Sequence, residues 1–321
     1  MLLTLARRRK FLFVGGKGGS GKTSVSSALA LARAAEGARV LLVSTDPAHS
    51  LGYVWDRKLT DTVVRVFDES GSVDAIEVDP DATIERHFDA VRRTMLQILP
   101  ERLQGAATRH LDVAKTAPGS HEAAMLERIA EVIEQAGNYD LVVFDTAPSG
   151  HTLRLLALPE RLFGWTESLL ASRKRSESFA AAARGIAGTT DETSDADGRL
   201  RRTLHARRER FAMMSTVIAD HSATAFAVVT LAENLSVAET IDITGRLQEL
   251  GIDVGSVVVN RRSPADAGQV LADQRQREAG YIRRLVENLD DVPITELPLV
   301  TKDLTGTEAL RELAGHVGDC R

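Results

Sequence analysis

The stretch Gly16-Lys17-Gly18-Gly19-Ser20-Gly21-Lys22-Thr23 constrains this chain more than any other. It follows the apolar run Phe11-Leu12-Phe13-Val14 and leads into Val25, Ala28, Leu29 and Leu31, an order that reads as strand, turn and helix. That is the setting of a phosphate-binding loop. Glycines let backbone N–H groups turn inward without Cβ clashes, and a helix N-terminus adds partial positive charge. Lys22 then reaches the β- and γ-phosphates, and the Thr23 hydroxyl is placed to ligate Mg²⁺. A chance glycine-rich turn is the bland alternative, but the strand, the Lys-Thr ending and the helix together argue against it. The spacing predicts a nucleoside triphosphate as ligand.

Lys17 narrows the motif. A second lysine after the first glycine resembles the deviant Walker A signature of a class of dimeric ATPases. In that class the equivalent lysine reaches across the subunit interface to the partner's nucleotide. Without the resemblance, Lys17 reads as a solvated lysine that merely precedes the loop.

Two further strands end in carboxylates. Arg39-Val40-Leu41-Leu42-Val43-Ser44 is a continuous apolar run of the kind found in doubly covered parallel strands, and Thr45-Asp46-Pro47 follows it. Ligands of open α/β sheets gather outside the carboxyl ends of strands, which puts Asp46 beside the phosphates. There it can orient or deprotonate the attacking water or hold hydrated Mg²⁺. An N-cap or Asx-turn explains an Asp-Pro pair equally well. Tyr139-Asp140-Leu141-Val142-Val143-Phe144-Asp145 is the second case, a buried strand ending in an aspartate that holds Mg²⁺ directly or through water. Ser256-Val257-Val258-Val259 delivers Asn260 to the same sheet edge, where an amide can read both donor and acceptor positions of adenine.

Between these strands lie two helical sections. Ile84, Phe88, Val91, Met95 and Leu99 form one apolar stripe, and Met125, Leu126, Ile129, Val132 and Ile133 another. Such stripes usually face a core, with a client-binding groove as the minority reading. Residues 160–222 form the second section, and Ala180 to Gly198, poor in large apolar residues, reads as a mobile loop.

Composition removes several classes. A chain of 321 residues, 43% hydrophobic, can bury one large α/β domain, with or without an inserted subdomain. A net charge of −5 argues against a nucleic-acid partner. Cys320 is the single cysteine, which excludes internal disulfides and multi-thiolate sites within one chain and suits a reducing cytoplasm. No stretch approaches the roughly 20 apolar residues of a membrane span, so cytoplasmic residence is expected. His151 has no second histidine or thiol at ligand spacing, so a metal role for it is not expected.

Taken together, the motifs resemble the family of arsenite-transporting and tail-anchored-protein targeting ATPases. The resemblance is carried by Gly16 to Thr23, Asp46-Pro47-Ala48-His49-Ser50-Leu51, Pro118-Gly119 with Glu122, and Asp145 to Leu156. Glu233-Asn234-Leu235-Ser236, Val259-Asn260-Arg261 and Leu297-Pro298-Leu299 continue it over nearly the whole chain. It implies an α/β fold, a doubly wound, mostly parallel sheet of the P-loop NTPase type. Residues 1–321 would form one ATPase domain, with an inserted helical subdomain from about 81–135 and about 160–222. It implies ATP and Mg²⁺ as cofactors and a homodimer with two sites at its interface. Gly16, Lys17, Gly18, Gly19, Ser20, Gly21, Lys22, Thr23 and Ser24 would hold the phosphates. Asp46, Lys17 and Lys22 would serve hydrolysis. Thr23, Asp46 and Asp145 would serve the metal, and Glu233, Asn260, Pro298 and Leu299 would lie at the bound nucleotide.

Departures from the family narrow the cargo. Where eukaryotic targeting factors carry a zinc-binding Cys-x-x-Cys pair, this chain has Asp273 and Gln276, so zinc is not expected. Iron–sulfur chemistry lacks its cysteines, and a metalloid site without thiolates is chemically poor. Three readings follow. The first is a Mg-ATP-driven dimeric switch that captures or delivers a membrane-bound, apolar client. The second is the energising subunit of an arsenite or antimonite pump. The third is a nucleotide-dependent scaffold of low turnover.

Overall fold

The computed structural model describes residues 1–46, 48, 50–98, 104, 105, 108, 109, 112, 115, 120–146 and 194–319. The apolar runs form strands as their pattern dictates: β1 (Phe11–Gly16), β2 (Arg39–Ser44) and β5 (Leu141–Asp145) are buried almost throughout. With β3 (Val64–Asp68), β4 (Ser72–Glu77), β6 (Thr224–Leu231), β7 (Val254–Arg262) and β8 (Ile294–Pro298) they make one sheet, ordered β3-β4-β2-β5-β1-β6-β7-β8. All neighbours are parallel except the β3–β4 pair. This is the doubly wound α/β sheet of a P-loop NTPase, with β1 between β5 and β6. The first strand's carboxyl end therefore sits between those of β5 and β6, where ligands of such sheets collect.

Helix α1 (Leu2–Arg8) precedes β1, and α2 (Lys22–Ala35) and α3 (Ser50–Trp55) flank β2. Downstream come α4 (Pro80–Ile98), α5 (Ser120–Gln135), α6 (Ser194–Ala219), α7 (Asn234–Glu249), α8 (Gln269–Asn288) and α9 (Gly306–Asp319). Alternate residues of β1 serve opposite faces, as a strand period of two requires. Leu12 and Val14 join a core with Val25, Leu29 and Ala30 of α2, Leu2 and Ala6 of α1, and Leu310 and Val317 of α9. Phe13 points to the other face. It stacks on Phe144 at 4.5 Å and Phe226 at 6.1 Å, its register partners on β5 and β6. Such a stack adds about 0.5–1.5 kcal/mol per pair beyond burial and rigidifies the strand that launches the phosphate loop.

The chain divides into two compact units, one of residues 1–79, 135–154 and 217–321 and one of residues 80–134 and 155–216. In the second, the α5 stripe is core: Met125, Leu126, Ile129, Val132 and Ile133 are all buried, as are Phe211 and Met214 of α6. On α4, Ile84 is buried while Leu96 is 43% exposed. Arg210 of α6 bridges Glu134 at 2.9 Å and Glu131 at 3.9 Å on α5.

Some elements differ from expectation. Helix α6 begins at Ser194, within the segment read as a loop. Serine and aspartate are poor core residues yet favourable at helix starts, so composition alone does not separate a loop from a first helical turn. Residues 180–193 lie outside the described residues. Helix α1 was not foreseen: seven residues are too few to show a period, yet Leu2, Leu3 and Ala6 are buried. Helix α9 runs to Asp319 and buries Val317.

Candidate active site

The phosphate loop joins β1 to α2. Gly16 has φ of 137°, and a Cβ there would stand 2.1 Å from the Val229 carbonyl oxygen of β6. Gly21 has φ of 89° and caps α2, and its missing Cβ leaves room for the Asn260 amide, which would lie 2.4 Å away. No L-residue with a side chain fits either place without strain. Gly18 and Gly19 are exposed, Ser20 and Lys22 are buried, and Thr23 and Ser24 are half-buried in the first turn of α2. The Lys17 carbonyl accepts from Ser20 Oγ at 2.8 Å and from Lys22 Nζ at 3.3 Å. Burial pulls the Lys22 pKa below its ordinary value, and the carboxylates of Asp145 and Asp46 oppose that shift. Lys17's own side chain is half-exposed at the rim, 4.0 Å from Glu239 Oε1 on α7.

Asp145 ends β5 directly behind Thr23. Thr23 Oγ1 donates to its Oδ2 at 2.7 Å, and the Ser50 hydroxyl lies 3.0 Å from Thr23 Oγ1. Asp145 Oδ1, fully buried, has no hydrogen-bond partner among the described residues. Burial pushes the Asp145 carboxyl up to about 7, against the Thr23 hydrogen bond and the Lys22 charge, with Asp46 and Glu77 adding to the rise. A bare carboxylate oxygen in a dry site is costly unless a cation or donor meets it.

Asp46 follows β2 and sits where the strand-end rule put it. Its Oδ1 accepts from the Ala48 N–H at 3.0 Å, so the Asx-turn foreseen as its alternative role is present. Pro47 and His49 lie outside the described residues. Two anchors hold the far end of this segment: Leu51 N–H donates to the buried Glu77 Oε1 at 3.1 Å, and Trp55 Nε1 donates to Ser27 Oγ on α2 at 3.1 Å. Sequence reasoning missed Glu77, because a strand-end glutamate without a partner motif carries no signal of its own.

The other end of the site is a pocket of about 380 Å³ lined in part by Glu233, Asn260, Arg261 and Leu299. Glu233 stands at the N-cap of α7. Ser236 fixes that turn, its hydroxyl accepting from Leu231 N at 3.1 Å and lying 2.9 Å from Thr230 Oγ1. Asn260 is buried and already engaged. Its Nδ2 donates to Ser20 O of the phosphate loop at 2.9 Å, and its Oδ1 accepts from Arg261 N at 2.9 Å. The structure thus brings Asn260 to the loop as well as to the pocket. Leu299 lines the pocket, and Leu299 N donates to Arg262 O at 2.9 Å. Pro298 ends β8 opposite Arg262 and is not among the lining residues.

Beside Leu231, Ala232 and Asn234, helix α8 adds Gln274, Arg277, Glu278 and Tyr281 to the lining. These residues were not foreseen. Their spacing of three, four and seven was the available signal, since it places all four on one helical face. Pro118-Gly119 and Ala147 to Leu156, quoted among the motifs, lie outside the described residues, as does Cys320.

A glycine-lined loop at the central strand, a lysine and a threonine at the following helix, and a strand-end aspartate bonded to that threonine define a P-loop nucleotide-binding enzyme. Comparison with known proteins sharpens the class. The family described as Anion-transporting ATPase matches residues 9–319. A Trypanosoma cruzi protein named ATPase ASNA1 homolog is 31% identical over 330 residues, 97% of this chain and 91% of its own. An Arabidopsis thaliana protein named ATPase GET3A is 32% identical over 307 residues, 94% and 82% of the two chains. A Paramecium tetraurelia protein named ATPase ASNA1 homolog 1 is 28% identical over 306 residues, 94% and 90%. The chain belongs to the anion-transporting ATPase family, and the reaction it catalyses is the hydrolysis of ATP.

Proposed function

We propose that the chain works as a homodimer in which Mg²⁺-ATP binding and hydrolysis drive capture or delivery of an apolar, membrane-bound client. The observation that carries this reading is Lys17. Its side chain is half-exposed, with the ammonium 4.0 Å from Glu239 Oε1 on α7, rather than buried in the loop as Lys22 is. A lysine so placed suits a neighbour's triphosphate, while the buried Lys22 serves its own.

In this reading the backbone N–H groups from Gly16 to Thr23 and the Lys22 ammonium hold the β- and γ-phosphates, and Ser24 supports the same turn. Water attacks the γ-phosphorus, the bond from phosphorus to the β–γ bridging oxygen breaks, and ADP and phosphate leave. Asp46 orients that water and takes up its proton. The Asx-turn holds Asp46 near the loop until then. Lys17 of one protomer neutralises charge developing on the phosphates bound by the other.

Thr23 and Asp145, with Asp46 nearby, are the residues that would hold Mg²⁺, which neutralises phosphate charge when bound. The buried, unpartnered Asp145 Oδ1 supports that fit. Among the described residues no group of three or more acidic, His or Cys side chains could hold a metal ion. Mg²⁺ keeps several waters and takes one or two carboxylates plus substrate phosphates, so it does not require such a group. Glu233, Asn260 and Leu299, with Pro298 behind them, would hold the base and ribose.

The client branch is favoured over metalloid transport by cysteine content, since Cys320 is the chain's only thiol. No helix among the described residues is long and apolar enough to cross a membrane, so a membrane-bound client would be met from outside the bilayer. The test is sedimentation of the purified protein with ADP and with a non-hydrolysable ATP analogue plus Mg²⁺, followed by pull-down of an apolar helical segment. ATP-dependent dimers that retain the segment are expected. A monomer with either nucleotide would contradict the reading, and hydrolysis stimulated by arsenite or antimonite would move the chain to the pump branch.

A further inference from the structure

Strand β7 carries an irregularity just where Asn260 leaves it. The β7–β8 ladder runs in register from Val257 to Val259, breaks, and resumes with Arg262 opposite Pro298. Within the break Arg261 has φ of 56°, in the left-handed region that an arginine seldom occupies. At this turn Arg261 N donates to Asn260 Oδ1 at 2.9 Å and Asn260 Nδ2 donates to Ser20 O at 2.9 Å. A conformation of this kind persists only where the surroundings over-determine it.

The surroundings here centre on the Glu278 carboxylate. Glu278 of α8 pairs with Arg262 Nη1, accepts from Ser263 N at 3.1 Å and Ser263 Oγ at 2.6 Å, and takes a further bond from Gln274 Nε2 at 3.2 Å. Arg262 and Glu278 side chains are each 7% exposed, and Arg262 Nε also donates to Glu296 at 2.6 Å. Arg275 Nη1 closes the set by donating to Ser263 O at 2.6 Å. The two residues after the bulge are thus tied to α8 through side chain and backbone alike, and Glu278 borders the same pocket as Asn260.

We infer that Glu278 is a positioning residue for the base end of the nucleotide site: by clamping Arg262 and Ser263 it fixes the bulge at Arg261 and the direction of the Asn260 amide. The inference rests on the reading of this pocket as the base end. Triphosphate affinity rests on backbone N–H groups and Lys22, so loss of the clamp falls on recognition of the nucleoside.

The experiment measures dissociation constants of Mg²⁺-ATP and of Mg²⁺ with inorganic tripolyphosphate for the full chain, its Glu278→Gln variant, and an Arg262→Met/Glu278→Met double variant. The double variant replaces the buried pair by apolar groups of similar size, which leaves no unpaired buried charge at those two positions if the single variant fails to fold. The wild type is expected to prefer ATP over tripolyphosphate. In a folded variant that preference should fall about tenfold, while tripolyphosphate affinity shifts by less than about twofold. A variant that keeps the wild-type ratio, or one that loses both ligands equally, overturns the role of Glu278. A wild type without preference for ATP overturns the pocket assignment itself.

Discussion

The two ends of the site are built by opposite means. At the phosphate loop the lining is mostly backbone, and a buried carboxylate, Asp145, has an oxygen without a partner among the described residues. At the base end side chains do the holding, and Glu278 is met by Arg262, Ser263 and Gln274. A satisfied network specifies one geometry, whereas a desolvated, half-satisfied group is ready to bind. In the proposed reading, the chain keeps its rigidity where it would recognise the nucleoside and an unpartnered carboxylate where the reaction would occur.

The largest expected effect lies at the phosphate end. Asp46→Asn should lower ATP hydrolysis by about 10²–10⁴-fold while leaving ATP affinity nearly intact, measured by single-turnover kinetics beside equilibrium binding. Unchanged turnover would remove Asp46 from the chemistry and leave only its Asx-turn.

Asp145 gives the next effect, and its sign is opposite to that of most core substitutions. Its folded pKa of about 7 lies above the ordinary 3.8, because burial disfavours the charge. The folded state therefore binds more protons between those values, and the group subtracts stability as pH rises through them. Asp145→Asn should stabilise the nucleotide-free protein at pH 8 by on the order of 2–4 kcal/mol in urea denaturation, with the gain vanishing near pH 4. A gain independent of pH would mean that burial is not the cause.

Gly21→Ala probes the joint between the two ends. The left-handed φ and the Asn260 amide 2.4 Å from the new Cβ should together cost about 1–3 kcal/mol of stability and weaken ATP binding. Normal stability would show that Asn260 is not held against the loop in solution.

Legibility in the sequence followed locality. The phosphate-loop motif is eight consecutive residues, so its setting between a strand and a helix was readable without tertiary information. Asp46 and Asp145 were legible because strand ends in a parallel sheet share one edge. The Asx-turn was readable from Asp-Pro alone. By contrast, the Arg261 bulge depends on Glu278, sixteen residues beyond Arg262, and the polar stripe of α8 has the same spacing as an ordinary solvated face. Glu77 meets Leu51 only through the fold. Helix α1 was too short to display a period, and the Ser-Asp-rich start of α6 has the composition of a loop.

The central claim is that Lys17 serves its partner's nucleotide while Asp46 serves its own. Mixing Lys17→Ala protein with Asp46→Asn protein and measuring ATP hydrolysis tests it, because each homodimer alone should be inactive. If Lys17 acts across the interface, each mixed dimer has one intact site, and an equal mixture should recover about a quarter of wild-type activity. No recovery from a mixture shown to contain mixed dimers would place Lys17 in its own site and contradict the account.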